Sequence, residues 1–190
     1  MTARRPAIFF DRDGTLIAAA PPGLASPAAH APEHVVLLPE ALDAIRLARR
    51  AGRLVVIVTN QPGPAKGQYS RAAVAATNRA LAEVCARGGA PLDGVYVCEH
   101  HETGGPGGDA SLVGVCDCRK PRPGLLLAAA RTLAIDLPRS AIIGDSERDM
   151  EAGRAAGVHA LRVGRGALGL VEAVRRAINE GGAPAVRRYL

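Results

Sequence analysis

The chain is 190 residues long, 48% hydrophobic and 22% charged, which is enough apolar material for one packed domain and too much for a largely disordered protein. Its formal net charge is +6, carried almost wholly by arginine because Lys66 and Lys120 are its only lysines. The charge is scattered and aromatics make up only 3% of the residues, which argues against a nucleic-acid partner held by base stacking and suits a small anionic ligand.

The first apolar run, residues 7–10, follows a short basic start and ends in Asp11-Arg12-Asp13. It is too short for a signal peptide or a membrane span. A cytoplasmic protein without a membrane partner is therefore expected, and in that reducing compartment the four cysteines are thiols or metal ligands rather than disulfides. Further apolar runs at 54–58, 94–97, 141–143 and 160–163 alternate with segments of helical period. That alternation predicts an α/β fold with a central parallel sheet covered by helices on both faces. Pro39 is placed for a first helical turn, Gly52 and Gly157 for helix ends, and Ser70 and Ser146 for N-caps. Residues 18–34, rich in Ala and Pro, have no usable period and read as an irregular loop or mobile flap; residues 103–109 form a Gly-rich loop between Cys/His clusters. Neither is long enough to be a capping domain, so one domain over 1–190 is expected, with a loosely held tail after Glu180.

In a parallel α/β sheet the ligand lies beyond the carboxyl ends of the strands. Asp11-Arg12-Asp13-Gly14-Thr15 follows the first run, Thr59-Asn60-Gln61 the second, Cys98-Glu99-His100 the third and Gly144-Asp145-Ser146 the fourth. Asp11 and Asp13 are two apart, so both point to one side while the chain stays extended. Carboxylates that close repel one another unless one is protonated or a cation sits between them. With Asp145 arriving from another strand, magnesium is the cation expected, since it prefers hard oxygen ligands. Read alone, D-x-D at a strand end is also the pattern of ordinary turn or cap residues. Lys120 carries its own argument: in a chain that otherwise uses arginine, a retained lysine indicates that a compact point charge is needed. For Lys66 a functional reason and chance both stand, and Asp149 has the spacing of a plain solvent-facing helix residue.

Cys98, His100, Cys116 and Cys118 make a Cys3His set suited to a tetrahedral structural zinc, or else they are simply buried or surface thiols. Zinc would staple the loop 98–118, which has little apolar surface of its own, and fix Arg119 and Lys120 just after it. Cys85, alone in a helical segment, reads as core packing.

Taken in order, Asp11-Arg12-Asp13-Gly14-Thr15, Thr59, Lys120 and Gly144-Asp145 with Asp149 resemble the four motifs of the haloacid dehalogenase (HAD) phosphatase superfamily. The C-x-H pair, the run Cys116-Asp117-Cys118-Arg119-Lys120-Pro121-Arg122-Pro123-Gly124 and Val58-Thr59-Asn60-Gln61 are similar to the group of heptose bisphosphate and histidinol-phosphate phosphatases within it. The resemblance implies a three-layer Rossmann-like fold with no large cap and a zinc-stapled loop. It implies Asp11 as the nucleophile that forms an aspartyl phosphate, and Asp13 as the acid that protonates the leaving alcohol and then the base that activates water. It also implies magnesium on Asp11, Asp145 and the backbone carbonyl of Asp13, zinc on Cys98, His100, Cys116 and Cys118, and Thr59 and Lys120 on the phosphoryl oxygens. Asn60, Gln61, Arg119 and Ser146 become substrate contacts. The expected substrate of this monomer is a small phosphorylated metabolite, first the 7-phosphate of D-glycero-D-manno-heptose 1,7-bisphosphate. Histidinol phosphate is the alternative substrate, and an inactive zinc-stabilised binding module is the alternative of another class. Two segments depart from the group: Ala18-Ala19-Ala20-Pro21-Pro22 replaces polar and aromatic residues that touch the sugar, and Pro62-Gly63-Pro64-Ala65-Lys66-Gly67 stands where a Ser and an Arg are common.

Overall fold

The computed structural model describes residues 3–24 and 26–180; the expected loose tail after Glu180 lies outside them. Five strands, β1 (Ala7–Phe10), β2 (Leu54–Asn60), β3 (Gly94–Cys98), β4 (Ala141–Gly144) and β5 (His159–Arg162), form one sheet in the order β3-β2-β1-β4-β5. Every pairing is parallel. All carboxyl ends therefore lie on one edge, and β1, with Asp11 just beyond it, is the central strand.

Side chains alternate across the sheet, and each face has its own core. Ile8, Phe10, Val55, Ile57, Ala141 and Ile143 pack on one side against the helices α1 (Ala41–Arg50), α3 (Arg71–Arg87) and α6 (Leu170–Glu180). Ala7, Phe9, Leu54, Val56, Val58 and Ile142 pack on the other against α4 (Gly124–Thr132) and α5 (Glu147–Ala156). A strand buried on both faces reads as a continuous apolar run, which is why β1, β2 and β4 stand out in the sequence. The edge strands β3 and β5 are only partly buried. A short helix, α2 (Gly63–Lys66), follows β2 directly.

The expected punctuation is mostly found. The Ser70 hydroxyl accepts from Ala73 N–H at 3.1 Å and caps α3, and Gly157 ends α5 in the left-handed conformation with φ 73°. Pro39 is a correction: α1 begins at Ala41, after Glu40 with φ 66°, so the proline lies before the helix rather than in its first turn. Strand β5 starts at His159, one residue before the expected run. Cys85 packs in the α3 core, where burial pushes its thiol up to about 11. Among the described residues of 18–34 the one regular element is a 3-10 turn, Pro32–His34; the segment has no core of its own and is tied to the rest of the chain by polar contacts and by the buried Ala29.

Candidate active site

Burial and charge decide the arrangement around Asp11. Its carboxylate is met at 2.8 Å by Lys120 Nζ, which also reaches Asp149 Oδ1 at 2.5 Å and donates to the Val58 carbonyl at 2.8 Å. Lys120 is 3% exposed and Asp149 fully buried. Burial pulls the ammonium's pKa down, but the attraction of Asp11 and Asp149 outweighs it and Lys120 is held above its ordinary value, as a cation. Lys120 is itself fixed by Asn60, whose side-chain amide donates to the Lys120 carbonyl at 2.9 Å and accepts from its N–H at 3.0 Å.

Asp149, which its spacing alone leaves like a surface residue although the motif resemblance includes it, is a buried keystone. Its Oδ2 accepts from the N–H of Ser146 at 3.2 Å and from the Ser146 hydroxyl at 2.6 Å, closing the N-terminus of α5. It packs so tightly on Gly144 that a Cβ at that position would collide with the carboxylate. The Gly-Asp pair ending β4 thus has a steric reason for its glycine.

One carboxylate oxygen from each of Asp11, Asp145 and Asp149 lies within 4.8 Å of the other two. Burial pushes the Asp11 carboxyl up to about 6, with Lys120 opposing and the Asp149 charge adding to the rise. Burial and the Asp149 charge also push Asp145 up. Three carboxylates against one ammonium leave an excess of negative charge, and the free donors are hard oxygens, so the set fits a magnesium ion. Asp149 has both oxygens engaged by Lys120 and Ser146, which leaves Asp11 and Asp145 for the cation. Gly14 makes room: with φ +80° it turns the chain after Asp13, and a Cβ there would strike the Asp145 carboxylate.

Asp13 lies to the side, held by donors only. Arg12, fully buried, reaches it through Nε at 3.1 Å and Nη2 at 3.0 Å. The Ala29 N–H donates at 2.9 Å and the Gln61 amide at 2.7 Å. Gln61 was expected on the substrate; the structure instead places it behind the pocket, 0% exposed, with Nε2 also on Thr59 Oγ1 at 2.9 Å and Oε1 accepting from the Tyr69 hydroxyl at 3.0 Å. It braces Asp13 and Thr59 and is absent from the pocket wall, a correction that follows from its burial. Arg12, Asn78, Ala29 and Tyr69 have no signal in the sequence, because their roles come from long-range packing.

A cavity of about 490 Å³ opens over these groups, walled by Asp11, Asp13, Thr59, Asn60, Lys120, Asp145 and Ser146. Its rim carries Lys66, His101, Arg119 and Arg148, while Ala19 and residues 26–28 close one side. Expected site residues 11, 13, 59, 60, 119, 120, 145 and 146 thus share one pocket.

Beside it, Cys98, His100, Cys116 and Cys118 converge. The three sulfur–sulfur separations are 3.0, 3.3 and 3.6 Å, and His100 Nδ1 lies 3.5 Å from Cys118 and 4.0 Å from Cys98. These exceed a disulfide bond of about 2.05 Å and approach the edges of a tetrahedron built on zinc–sulfur bonds of about 2.3 Å. The donor set fits zinc, and with four protein ligands such a site is structural. Arg119, next in the chain, donates to the His100 carbonyl at 3.2 Å, so the cluster and the pocket wall share a backbone.

The Gly-rich part of this loop docks on α2. Gly105 N–H donates to the Ala65 carbonyl at 3.2 Å and Asp109 N–H to the Pro64 carbonyl at 2.9 Å. At Gly67, Gly105 and Gly108 a Cβ would collide with the backbone across the seam. The contact holds Lys66 at the rim.

Comparison with known proteins agrees with this geometry. A HAD-hydrolase-like family model matches residues 117–181. The chain is 42% identical over 156 residues to a D-glycero-beta-D-manno-heptose-1,7-bisphosphate 7-phosphatase of Mesorhizobium japonicum, covering 80% of this chain and 66% of the relative. It is 39% identical over 159 residues to the enzyme of the same name from Rhodopseudomonas palustris, covering 84% and 83%. Among solved structures, the D,D-heptose 1.7-bisphosphate phosphatase of B. bronchiseptica complexed with magnesium and phosphate superposes with a TM-score of 0.70 at 29% identity, covering 95% of this chain and 89% of that one. With its motifs gathered at the carboxyl edge of a Rossmann-like sheet, the chain belongs to the HAD family of phosphatases, hydrolases of phosphoric monoesters.

Proposed function

We propose that this protein removes the 7-phosphate from D-glycero-D-manno-heptose 1,7-bisphosphate in the cytoplasm, using magnesium for the chemistry and zinc for the architecture. Relatives that are 35–42% identical bear that activity in their names. The observation that carries the reading to this chain is the charge of the pocket: beyond Asp11, Asp13 and Asp145, its described wall has no acidic side chain, and its rim has Lys66, Arg119 and Arg148. A second phosphate on the substrate suits such a rim. Histidinol phosphate would bring a cation there and would need an acidic partner; Glu99, beside the Cys/His cluster, is paired with Arg71 at 2.8 Å. Neither Glu99 nor Glu102 lines the pocket.

Asp11 attacks phosphorus as the bond to the sugar oxygen breaks, and that oxygen takes its electron pair and a proton from Asp13. Water then attacks the aspartyl phosphate, gives a proton to Asp13 and releases Asp11 and inorganic phosphate. Asp11, Asp145 and the Asp13 carbonyl would hold a magnesium ion, which would supply positive charge near the phosphoryl oxygens. Lys120, Thr59 and backbone N–H groups near Asn60 bind those oxygens as charge builds. Arg119, Asn60 and Ser146 line the substrate's path, and the zinc cluster keeps Arg119 in place. No helix among the described residues is long and apolar enough to cross a membrane.

Steady-state kinetics on the heptose bisphosphate and on histidinol phosphate test the substrate. The expected result is a kcat/KM at least about tenfold higher for the bisphosphate, roughly 1.4 kcal/mol of transition-state preference; a preference of that size for histidinol phosphate would reverse the reading. An Asp11→Asn variant with wild-type turnover would contradict the nucleophile, and wild-type protein without magnesium-dependent hydrolysis of either compound would favour the inactive binding module.

A further inference from the structure

We propose that Arg12 and Gln61 are positioning residues that hold Asp13 for its two successive proton transfers, and this rests on the acid/base role given to Asp13 above. Arg12 follows the nucleophile in the sequence, yet its side chain is turned away from the pocket and fully buried. A buried guanidinium is retained only where its charge and donors are matched. Here every partner serves one end: Nη1 donates to Asn78 Oδ1 of α3 at 2.7 Å, Nη2 donates to the Ala29 carbonyl at 2.5 Å, and Nε and Nη2 grip the Asp13 carboxylate. Ala29 completes the ring, since its own N–H donates to Asp13 Oδ1 at 2.9 Å. The planar fork thereby ties the general acid/base to a core helix and to the segment 18–34 that walls the pocket.

Arg12 and Ala29 offer Asp13 nothing but N–H donors, which suits the carboxylate that must accept a proton from water. The carboxylic acid that protonates the leaving alcohol carries an O–H, which needs a neighbour able to accept until the leaving oxygen is in place. Gln61 can be both. Its Nε2 now donates to Asp13 and Thr59 while Oε1 accepts from Tyr69. Rotation of the terminal amide turns Oε1 toward Asp13 and Nε2 toward the Tyr69 oxygen, and the hydroxyls of Thr59 and Tyr69 can each reverse from donor to acceptor or back. Tyr69 is steadied for this by stacking on His30, ring centroids 4.8 Å apart and 4° from parallel. A cation fixes where Asp13 points, and a neutral amide accommodates both of its protonation states.

The consequence is a dependence on the leaving group. A sugar alkoxide cannot depart without a proton, whereas p-nitrophenolate can, and kcat/KM reports the chemistry up to the first irreversible step. For Arg12→Lys, which loses the fork, and Gln61→Met, which keeps the volume but has no amide, kcat/KM on heptose 1,7-bisphosphate is expected to fall at least about 10-fold, with KM changed less than about 3-fold. On p-nitrophenyl phosphate the same variants should fall less than about 3-fold. Asp13→Asn is the reference and should show the same selectivity to a larger extent. Thermal unfolding of each variant monitors the fold, and if Arg12→Lys does not fold, Gln61→Met decides. Equal losses on both substrates, or no loss on either, while Asp13→Asn is selective, would overturn the positioning role alone. An Asp13→Asn variant indifferent to the leaving group would bring down the acid/base assignment, and this inference with it.

Discussion

At the scale of single residues, the site is a negotiation between burial and charge. Asp11 has a folded pKa of about 6 against an ordinary 3.8. A carboxyl raised on folding favours the native state in its protonated form, a contribution complete below about 3.8 and gone above about 6. In metal-free protein, Asp11→Asn removes the ionised form altogether. It is therefore expected to melt higher than wild type at pH 7.5, with the gain shrinking as the pH falls toward 4; calorimetry on chelated samples would show whether the difference follows that sign. Magnesium should raise the melting temperature of wild type more than that of the variant. Gly14→Ala places a Cβ against Asp145 at a positive φ, so magnesium affinity and turnover should drop together, by roughly 2 kcal/mol or more in a magnesium titration. The residues legible from sequence were those whose chemistry is declared by type and spacing: Asp11, Asp13, Thr59, Lys120 and Asp145. The structural roles of Arg12 and Asp149 were not, because by type and spacing an arginine or a helical aspartate looks solvent-exposed until the partners that bury it, Asn78 and Ala29 for one and Lys120 for the other, are brought in from elsewhere in the chain.

At the scale of elements, the loop 98–118 shows how a segment with a poor core becomes a wall of the pocket. Its Cys3His cluster draws the two ends of the loop together, and its glycine seam on α2 holds the middle. We expect Cys116→Ser to lose stoichiometric zinc, melt earlier and turn over more slowly; carefully purified wild-type protein with no zinc by atomic absorption would refute the structural-metal reading. Gly105→Ala or Gly108→Ala, each set against α2 backbone, should leave zinc in place but raise KM for the bisphosphate several-fold, since Lys66 moves with the seam. An unchanged KM would disconnect Lys66 from the substrate. The cysteines and histidine announced their own clustering in sequence. The seam did not, because glycines in a loop predict flexibility as readily as close backbone approach, and only the facing carbonyls of Ala65 and Lys66 distinguish the two.

At the scale of the whole molecule, the parallel sheet was readable because β1, β2 and β4 are buried on both faces and so run apolar without interruption, with the site residues falling at their carboxyl ends. The segment 18–34 was not, since nothing in its Ala and Pro composition shows that Ala29 docks on Asp13. A pocket open to solvent and rimmed by Lys66, Arg119 and Arg148 should draw its substrate by charge. Raising ionic strength from about 0.02 to 0.5 M shrinks the Debye length several-fold, so KM for the bisphosphate should climb more steeply than KM for p-nitrophenyl phosphate; parallel salt dependences would contradict a cationic rim at work. All of this stands on Asp11 meeting phosphorus in the company of Lys120, Thr59 and Asp145. Rapid acid quench of the enzyme during turnover with magnesium, followed by peptide mass spectrometry, measures that encounter directly. A PO3 adduct is expected on the peptide bearing Asp11, absent without magnesium and absent in Asp11→Asn; turnover with the adduct on another residue, or turnover undiminished in that variant, would contradict Asp11 as the nucleophile.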